Sequence, residues 1–432
     1  MRNYSKRIRI ILTMNPFRRS AIALALSCLG ISSAHATNGI NLIGFGAEST
    51  LMAGADIAVA RDTSALNTNP AGLTQINGQV MDVFASMLRT TDLVHKDSNG
   101  NEEHASNRYT FLGGGGYAQS LEGLPCTAGV GLFAQGGAGG VFENIRTPFG
   151  NRDDLSSLFG IAKIIPGIGC QVTDKLSLGA SLGIVYSTIE QDFFGNTSVG
   201  SAFAGYKLED AAALRMGLKF GAQYRVNPSL TLAATYTEKT ELPLTGGSLV
   251  ANYSGLGLGK VKYSDATVKG FALPREVALG VAFKPTDALL VSFKLNWLNW
   301  DDAIDTVTVR ATDPNNAAAP AEYTLVAPAD WKDQWVIATG LAYTWDDRTT
   351  LYAGHNYGQN PIPRKNSSPL LAGILEHHLT FGAAHKIDPN WLLTGGVEWM
   401  LPVGEKYTNP LFGEAEIRNE AIFFHMMLSR RW

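Results

Sequence analysis

Only a few residues of this 432-residue chain have the type and spacing that a metal site requires. His377 and His378 carry adjacent imidazoles, which are common zinc ligands. Neighbouring side chains on a strand point to opposite faces, however, so these two cannot hold one ion together. Glu102, Glu103 and His104 lie in a polar stretch that is typical of a solvated loop. The pattern therefore predicts no metal site.

Recognisable catalytic motifs are also missing. The glycines from Gly113 to Gly116 match the glycine content of a phosphate-binding loop, but the Lys-Ser/Thr pair and the following helix of that motif are absent. A flexible or closely approached strand explains these glycines better. No G-x-S-x-G motif and no Ser-His-Asp set stands out. We therefore expect neither a cofactor nor an enzyme.

Residues 1–36 have the pattern of a targeting segment that is cleaved on export. A basic start is followed by an apolar run from Ala21 to Ile31, which is too short to span a bilayer. Ala34-His35-Ala36 then supplies the small residues of a cleavage site. We predict that the mature chain begins at Thr37, and either methionine of the segment remains a candidate initiator.

Cys126 and Cys170 are the only cysteines after that segment. An exported chain meets an oxidising compartment, where paired cysteines form disulfides. Cys126 opens one predicted strand just after a short turn, and Cys170 closes the next strand just before another turn. Adjacent antiparallel strands would place both at one rim. We predict a disulfide between them, with two separate buried thiols as the alternative.

Composition narrows the remaining classes. No apolar run reaches the ~18 residues of a membrane-spanning helix. Glycine is frequent at 46 residues, and only 17% of the residues are charged, which is low for a soluble enzyme of this size. The net charge is −3 and no basic run follows the first segment, so nucleic acid is not an expected partner.

Long period-two alternation predicts the fold class. From Leu214 to Val226, apolar residues alternate with glycine and with charged or amide side chains, and residues 176–186 and 334–345 alternate similarly. Alternation over about ten residues or more is long for a soluble strand and fits a tilted membrane strand. Short turn signals join these segments in pairs. The connections between the pairs are long, at 191–213, 242–267 and 301–330.

The prediction is therefore an all-β chain, a transmembrane antiparallel β-barrel of about 14 strands with an N-terminal plug inside its lumen. Trp432 ends the last strand, and a terminal aromatic residue is typical of the signal that the barrel assembly machinery recognises. The predicted strands are roughly 79–95, 107–118, 126–136, 157–172, 176–190, 214–226, 230–241, 268–283, 288–300, 334–345, 350–359, 376–386, 391–400 and 417–432.

Residues 37–78 form the predicted plug, and residues 79–432 form the barrel. The plug segment is rich in Gly, Ala, Asn, Ser and Thr. It is too polar to cross a bilayer as a helix and too poor in bulky side chains to fold alone, so it is ordered only if something encloses it. Asn69, Pro70 and Ala71 end it with a turn signal that fixes the angle of exit.

The same segment carries a resemblance to a known family. Thr37–Leu42, Gly44–Ser49 and above all Asp62–Gly72, with its Asn-Pro-Ala tripeptide just before the first strand, resemble the FadL/TodX family of outer-membrane proteins. Leu273–Val277 and Trp331–Trp335 support it more weakly. The resemblance implies a fourteen-stranded barrel in the bacterial outer membrane that takes up long-chain fatty acids or other hydrophobic compounds.

The resemblance also implies a route for the ligand. A groove in the outer loops passes the ligand to a pocket at the start of the plug, which here would include Ile40 and Leu42. We predict in addition that the plug is the gate, and that its hold depends on Asn69, Pro70 and Ala71. A kink in the third strand then opens the wall sideways. Glycines interrupt the alternation of that strand at Gly136, Gly137, Gly139 and Gly140.

Apolar residues in the long connections are the candidates for first capture of the ligand. We expect them to be exposed, and the alternative is that they pack the loops on themselves. They are Leu155, Leu158, Phe159, Phe193, Phe194 and Phe203.

The substrate and the partners follow less directly. Arg275, Lys294 and Lys332 are candidate lumen cations, but an interior network would satisfy them equally well. The basic residues that would hold a carboxylate are thus not identifiable from the sequence, and the expected ligand is either a long-chain fatty acid or a neutral hydrophobic small molecule such as a hydrocarbon or an aromatic compound. A general porin for polar solutes and a receptor or adhesin barrel remain the alternative functions. We expect a monomer whose other contacts are outer-membrane lipid, lipopolysaccharide and the assembly machinery.

Overall fold

The computed structural model describes residues 38–432; the predicted targeting segment, its cleavage site and Thr37 lie outside the described residues. None of the helices in the described part is long and apolar enough to cross a membrane. The helices are α1 (Ala47–Leu51), α2 (Ala65–Thr68) and α3 (Trp300–Ala303), with 3₁₀ helices at Pro70–Gln75, Ser254–Leu256, Arg364–Asn366 and Pro369–Leu371.

Strands account for most of the chain. In order they are β1 (Gln79–Thr90), β2 (Val94–Asp97), β3 (Glu102–His104), β4 (Tyr109–Ser120), β5 (Cys126–Arg146), β6 (Arg152–Gln171), β7 (Leu176–Val199), β8 (Phe203–Asn227), β9 (Leu230–Thr237), β10 (Thr240–Glu241), β11 (Leu244–Tyr253), β12 (Gly259–Lys269), β13 (Ala272–Leu273), β14 (Glu276–Phe283), β15 (Leu289–Leu298), β16 (Thr306–Pro314), β17 (Glu322–Pro328), β18 (Gln334–Thr344), β19 (Thr349–Gly358), β20 (His377–Lys386), β21 (Trp391–Asn409) and β22 (Gly413–Arg431).

Fourteen of these strands pair antiparallel into a closed barrel, as the alternation predicted. The last strand returns to the first, with Val80 opposite Arg431. Closure leaves no unpaired sheet edge in lipid, where unsatisfied backbone groups are costly. Around the wall the strands run β1, β4, β5, β6, β7, β8, β9, β14, β15, β18, β19, β20, β21 and β22.

The two faces of the wall differ as the sequence period requires. On β8, Leu214 and Met216 are 62% and 68% exposed and face outward, whereas Gln223 is 5% exposed and faces the lumen. The outward phase meets lipid tails, and the inward phase carries polar side chains or glycine. Short turns mark the periplasmic rim, and the long connections mark the extracellular side.

The long connections are not loops, contrary to the sequence prediction. β7 and β8 continue outward as a paired hairpin, with Phe193 opposite Tyr206. β11 adds to β8, and β12, β16 and β17 follow in turn. The predicted strand 268–283 is in fact the end of β12, the short β13 and the barrel strand β14. These segments alternate as well, because their sheet buries one face on the barrel mouth.

The segment 38–78 lies inside the lumen. Nearly all of it is buried against the wall, and α1, α2 and the 3₁₀ helix Pro70–Gln75 are its only regular elements within the described residues. Small residues on the wall make room for it: a Cβ added at Gly340 would lie 2.7 Å from the Met52 carbonyl oxygen. Plug and barrel are therefore one packed body.

Candidate functional site

The wall has a gap beside β5. Pairing between β4 and β5 runs from Ser120 opposite Thr127 to Gly114 opposite Phe133, and stops there. Beyond that point β4 pairs only with β1. The register of β5 on β6 shifts between Ala134 and Gly136, which marks a bulge. The β4-facing edge of β5 is thus left without a strand partner near mid-wall.

The start of the plug fills this gap from inside. Asn41 forms an isolated bridge with Gly136. The Gly137 amide donates to the Ile40 carbonyl at 3.0 Å, and the Leu42 amide donates to the Gln135 carbonyl at 3.2 Å. The backbones approach so closely that a Cβ on Gly136 would lie 1.9 Å from the Ile40 oxygen. Only glycine fits at Gly136 while the plug start is in place.

The Ile40 side chain is fully buried in an apolar cluster that contains several aromatic residues. It belongs to the same apolar cluster as Phe159, Phe271, Trp300 and Trp331. The rings of Phe159 and Phe271 stack at 4.8 Å, and those of Trp300 and Trp331 meet edge to face at 5.1 Å. Phe159 was predicted as a capture residue in the outer loops, and the other three aromatic residues were not predicted as site residues.

A polar cavity of about 50 Å³ lies next to the plug start. Its lining includes Lys163, Lys219 and Lys294, and the two carboxylates Asp56 and Glu276. Lys294 lies 3.6 Å from Asp56, so these two compensate each other.

The other charges of this cavity are less well matched. Glu276 accepts a hydrogen bond from the Asn41 side chain at 3.2 Å. Neither Lys163 nor Lys219 has a carboxylate within ion-pair distance in the part of the chain that the structure describes. The lumen therefore holds one positive charge more than its carboxylates balance at this place.

A second, smaller cavity of about 20 Å³ lies on the other side of the plug start. Leu42 and Phe45 line both cavities and separate them. Leu112 and Ala134, which flank the gap in the wall, line the smaller one. A ligand that passed Leu42 and Phe45 would therefore arrive at the gap.

Polar side chains border the smaller cavity opposite the gap. Glu398 is buried between His378 at 2.6 Å and His425 at 3.3 Å, and Ser86 contacts the other nitrogen of His425 at 2.8 Å. His377 lies on the outer face and contacts His355 at 3.1 Å instead. His377 and His378 thus face opposite ways, and the residues in the described range form no metal-binding group of three or more.

The plug also packs tightly against the wall at the tripeptide of Asn69, Pro70 and Ala71, and we call this contact the seat. Asn69 is fully buried, and its amide nitrogen donates to the carbonyls of Ile57 at 2.7 Å and Ala222 at 3.3 Å. Its side-chain oxygen caps the 3₁₀ helix by accepting from the Ala71 amide at 3.1 Å. Glycines of three neighbouring strands face this tripeptide at close range; they are Gly169, Gly179 and Gly221.

The sequence profile of the family described as outer membrane protein transport protein (OMPP1/FadL/TodX) matches residues 28–401. The chain belongs to this family. It is therefore an outer-membrane transport protein rather than an enzyme, as the sequence analysis predicted. Among curated proteins, none matches the chain by sequence.

Solved structures of FadL/TodX proteins share the fold. The toluene transporter TodX of P. putida is 22% identical, with a TM-score of 0.76 over 91% of this chain and 99% of that one. The toluene transporter TbuX of Ralstonia pickettii is 20% identical, with a TM-score of 0.71 over 91% and 99%. A Pseudomonas aeruginosa FadL homologue is 16% identical, with a TM-score of 0.74 over 91% and 99%.

The predicted capture residues of this FadL/TodX protein are not exposed. Leu155 and Phe194 are fully buried in one outer cluster, while Phe193, Phe203 and Leu158 are half-buried. They lie on β6, β7 and β8 rather than in loops, and all of them except Leu158 pack in one cluster where the strands extend beyond the membrane. In this structure the outer region packs on itself, which was the alternative to exposed capture residues.

The hairpin of β2 and β3 covers the outer cluster. His95 is buried edge-on against Phe142 and Phe412, at 5.8 and 4.8 Å between ring centres. Its imidazole contacts Asp97 at 3.0 Å. Burial would raise the pKa of the Asp97 carboxyl, but hydrogen bonds with His95 and Asn101 outweigh burial and hold that pKa below its usual range. The cover is thus tied down by a buried polar network.

The remaining predicted residues are placed as follows. Gly139 and Gly140 lie beyond the bulge, where Asn107 reaches the Gly139 carbonyl at 3.4 Å. Cys126 and Cys170 are opposite each other at the periplasmic ends of β5 and β6 and are joined by a disulfide.

Of the three candidate lumen cations, only Lys294 lines the cavity at the plug start. Arg275 pairs with Glu238 and Lys332 with Asp301, both at partly exposed sites. Lys163 and Lys219 were missed as site residues, although Lys219 falls on the non-lipid phase of its strand.

Proposed function

We propose that this protein is a passive channel for the uptake of hydrophobic organic acids, such as long-chain fatty acids, across the outer membrane. The observation that carries the substrate class is the cavity lined by Lys163 and Lys219 at the start of the plug. The solved relatives named as toluene transporters share the fold at low identity, so they do not decide between an acid and a neutral hydrocarbon.

Charge balance favours an acid. Three lysines and two carboxylates line the cavity, which leaves one positive charge uncompensated. An unpaired buried charge is costly, and a carboxylate that hydrogen-bonds to it offsets part of that cost. A neutral hydrocarbon would leave the positive charge of the lysines uncompensated and would bury them further.

The geometry supports a route that turns sideways. The head group would sit at Lys163 and Lys219, and the apolar chain would extend past Leu42 and Phe45 towards the gap at Ala134. Both cavities together are too small for a long chain while the plug start is in place. Movement of the plug start would join them and release the bridge at Gly136. A side exit lets the apolar chain enter lipid without crossing water.

Capture begins outside the membrane in this proposal. The outer cluster of Leu155 and Phe194 is closed, so a ligand must displace its own volume of apolar contacts there. Each methylene group of the ligand that is buried gains about 0.8 kcal/mol, which makes a long chain a better competitor than a short one. A general porin for polar solutes is disfavoured because the plug fills the lumen.

The test compares three solutes in liposomes that contain the purified protein: oleate, toluene and a sugar. We expect oleate and toluene to enter, and the sugar to stay outside. Replacing both lysines, Lys163→Gln with Lys219→Gln, should reduce oleate uptake about tenfold or more, because a hydrogen bond to a charged group contributes about 1.5–3 kcal/mol. Toluene uptake should not fall.

The matched control is Lys332→Gln, which removes an exposed lysine that is paired with Asp301. It should leave both solutes unaffected. Equal loss of oleate and toluene in the double variant would contradict the carboxylate site, and sugar entry would favour the porin alternative.

A further inference from the structure

A separate cavity opens at the periplasmic mouth, below the plug. Its volume is about 460 Å³, which falls in the range of about 300–1,000 Å³ that is usual for small-molecule sites. The underside of the plug forms its roof, and the ends of six wall strands and their short turns form its sides. The turns involved follow β6, β8 and β14.

Four cations line this mouth: Arg61 of the plug and Lys175, Arg225 and Lys284 of the wall. Within residues 38–432 no aspartate or glutamate belongs to the lining. The other polar groups are amides and hydroxyls, which bind anions without adding negative charge. The mouth therefore has the electrostatics of an anion site.

Two of the cations are held in place without being neutralised. The Lys175 ammonium donates to the Val226 carbonyl at 3.3 Å, and the Arg225 guanidinium donates to the Asp174 carbonyl at 3.0 Å. Each side chain thus bonds to the backbone of the residue next to the other cation. A lysine has three donors and an arginine five, so most of their donors remain available to a ligand.

The other two cations, Arg61 and Lys284, differ from each other in whether a carboxylate compensates their charge. Arg61 is paired with Glu48 at 2.5 Å and contributes little net charge. Lys284 is exposed, and its ammonium contacts no carboxylate or carbonyl among the described residues. Three uncompensated positive charges therefore surround the opening.

The lining of the mouth is partly apolar, and hydrogen bonds between plug and wall lie between the mouth and the lumen above. Ala58, Val59 and Leu290 line the mouth. Gln75 donates to the Gln223 side chain at 2.7 Å, and Gln223 donates to the Ile57 carbonyl at 2.8 Å. This seam between plug and wall keeps the mouth apart from the cavity at the plug start. An apolar roof ringed by cations suits a ligand with both characters.

We propose that the periplasmic mouth is a binding site for organic carboxylates, with the carboxylate held by Lys175, Arg225 and Lys284 and the apolar part against Val59. The site is independent of the proposed uptake route. Its ligand comes either from the channel or from the periplasm, and the chemistry of recognition is the same for both.

A single thiol at the mouth provides a local readout. Ser229 lines the cavity, and the cysteines of the barrel are joined to each other, so Ser229→Cys introduces one reactive group. Its rate of alkylation is measured in detergent with decanoate, decanol or inorganic phosphate. We expect decanoate to slow alkylation at least about fivefold in a saturable manner. Decanol and phosphate should have little effect, because each supplies only half of the recognition.

The variants are built on Ser229→Cys. Lys175→Gln with Lys284→Gln should abolish protection by decanoate. Lys386→Gln is the matched control, since Lys386 is a rim lysine that donates to the Asp347 carbonyl at 3.1 Å and does not line the mouth. Lys163→Gln with Lys219→Gln should also leave protection intact, which separates this site from the proposed uptake site. Protection by decanol or phosphate alone, or protection that survives the first variant, would overturn the proposal.

Discussion

The plug contacts the wall closely at two places that differ in what surrounds them. At the seat of Asn69 and Pro70, backbone and buried side chains meet wall glycines with no space left; a Cβ at Gly221 would lie 1.9 Å from the Asn69 oxygen. At the plug start, Ile40 and Leu42 are held by backbone hydrogen bonds to β5, with a cavity on either side and a gap in the wall behind.

Strands β5 and β6 show the same difference between a fixed end and an irregular end along their length. At the periplasmic end, β5 and β6 are joined by the disulfide of Cys126 and Cys170. Towards the middle, their register breaks between Ala134 and Gly136. A covalent link near the seat and an irregular ladder near the plug start indicate an anchored end and an end that can move.

The largest effect is expected at the seat. Gly179→Ala places a Cβ 2.3 Å from the Pro70 carbonyl carbon and 2.4 Å from the Ala71 nitrogen. Neither neighbour is a flexible side chain, so we expect a loss of about 3 kcal/mol, the upper end for overpacking. Urea unfolding in lipid vesicles and the gel shift on heating measure it.

Gly183→Ala is the control for that change, on the same strand and the same face. Its Cβ would have no neighbour closer than 3.6 Å, so stability should stay within about 0.5 kcal/mol. If both variants were equally stable, the seat would not be a rigid anchor.

The disulfide should have the next largest effect. Cys126→Ser with Cys170→Ser opens a loop with a sequence separation of 44, for which we expect a loss of about 2 kcal/mol, at the low end of the usual range. The two strands are already paired, so the barrel should still assemble. Transport of oleate should not change, because the link lies away from the plug start. A strong transport defect in an assembled barrel would contradict the division between the two ends.

Asn69→Ala should cost less, about 1–2 kcal/mol, because the Ile57 carbonyl keeps its hydrogen bond from Gln223. The cap on the 3₁₀ helix is lost as well, so the exit from the plug loosens. Asn67→Ala is a useful comparison, since Asn67 donates to Gln135 near the bulge at 3.0 Å. We expect Asn69→Ala to lower stability more and Asn67→Ala to alter transport more. The reverse order, from urea unfolding and oleate uptake, would contradict the assignment of the two ends.

The barrel was predictable from sequence because every strand residue faces either lipid or the lumen, so apolar and polar residues alternate along each strand. Lipid on one side forces apolar side chains such as Leu214 and Met216 outward, and the lumen takes Lys219 and Gln223. The outer strands were missed as strands because the same alternation there was interrupted by polar pairs and glycines, which also mark loops. Nothing local distinguishes the end of a membrane strand from its continuation into water.

The site was predictable only in part. The family resemblance pointed to Ile40 and to a kink in the third strand, and Gly136 and Gly137 marked the kink because they interrupt the alternation of that strand. Lys163 did not stand out, because a single lysine in a strand does not reveal that another strand brings Lys219 close to it. A site formed by residues of distant strands can be located only when the strand register is known, and no local sequence pattern reveals that register.

The smallest stability effect, and the most informative one, is expected at the plug start. Ile40→Ala would cost about 2–5 kcal/mol in a core that must stay closed. The plug start can instead detach from the wall, so no cavity has to be kept open around the shortened side chain. The loss of stability is then limited to the free energy that keeps the plug start docked on β5. We therefore expect the free energy of unfolding to change by less than about 1 kcal/mol, together with a clear change in oleate uptake and easier proteolysis before Gly44.

Ile57→Ala is the control, because Ile57 is buried in the anchored part of the plug, against Gly280 of the wall. It should lower stability more and change transport less. A full core penalty for Ile40→Ala with unchanged uptake would mean that both ends of the plug are fixed, and the gate would then have to lie elsewhere.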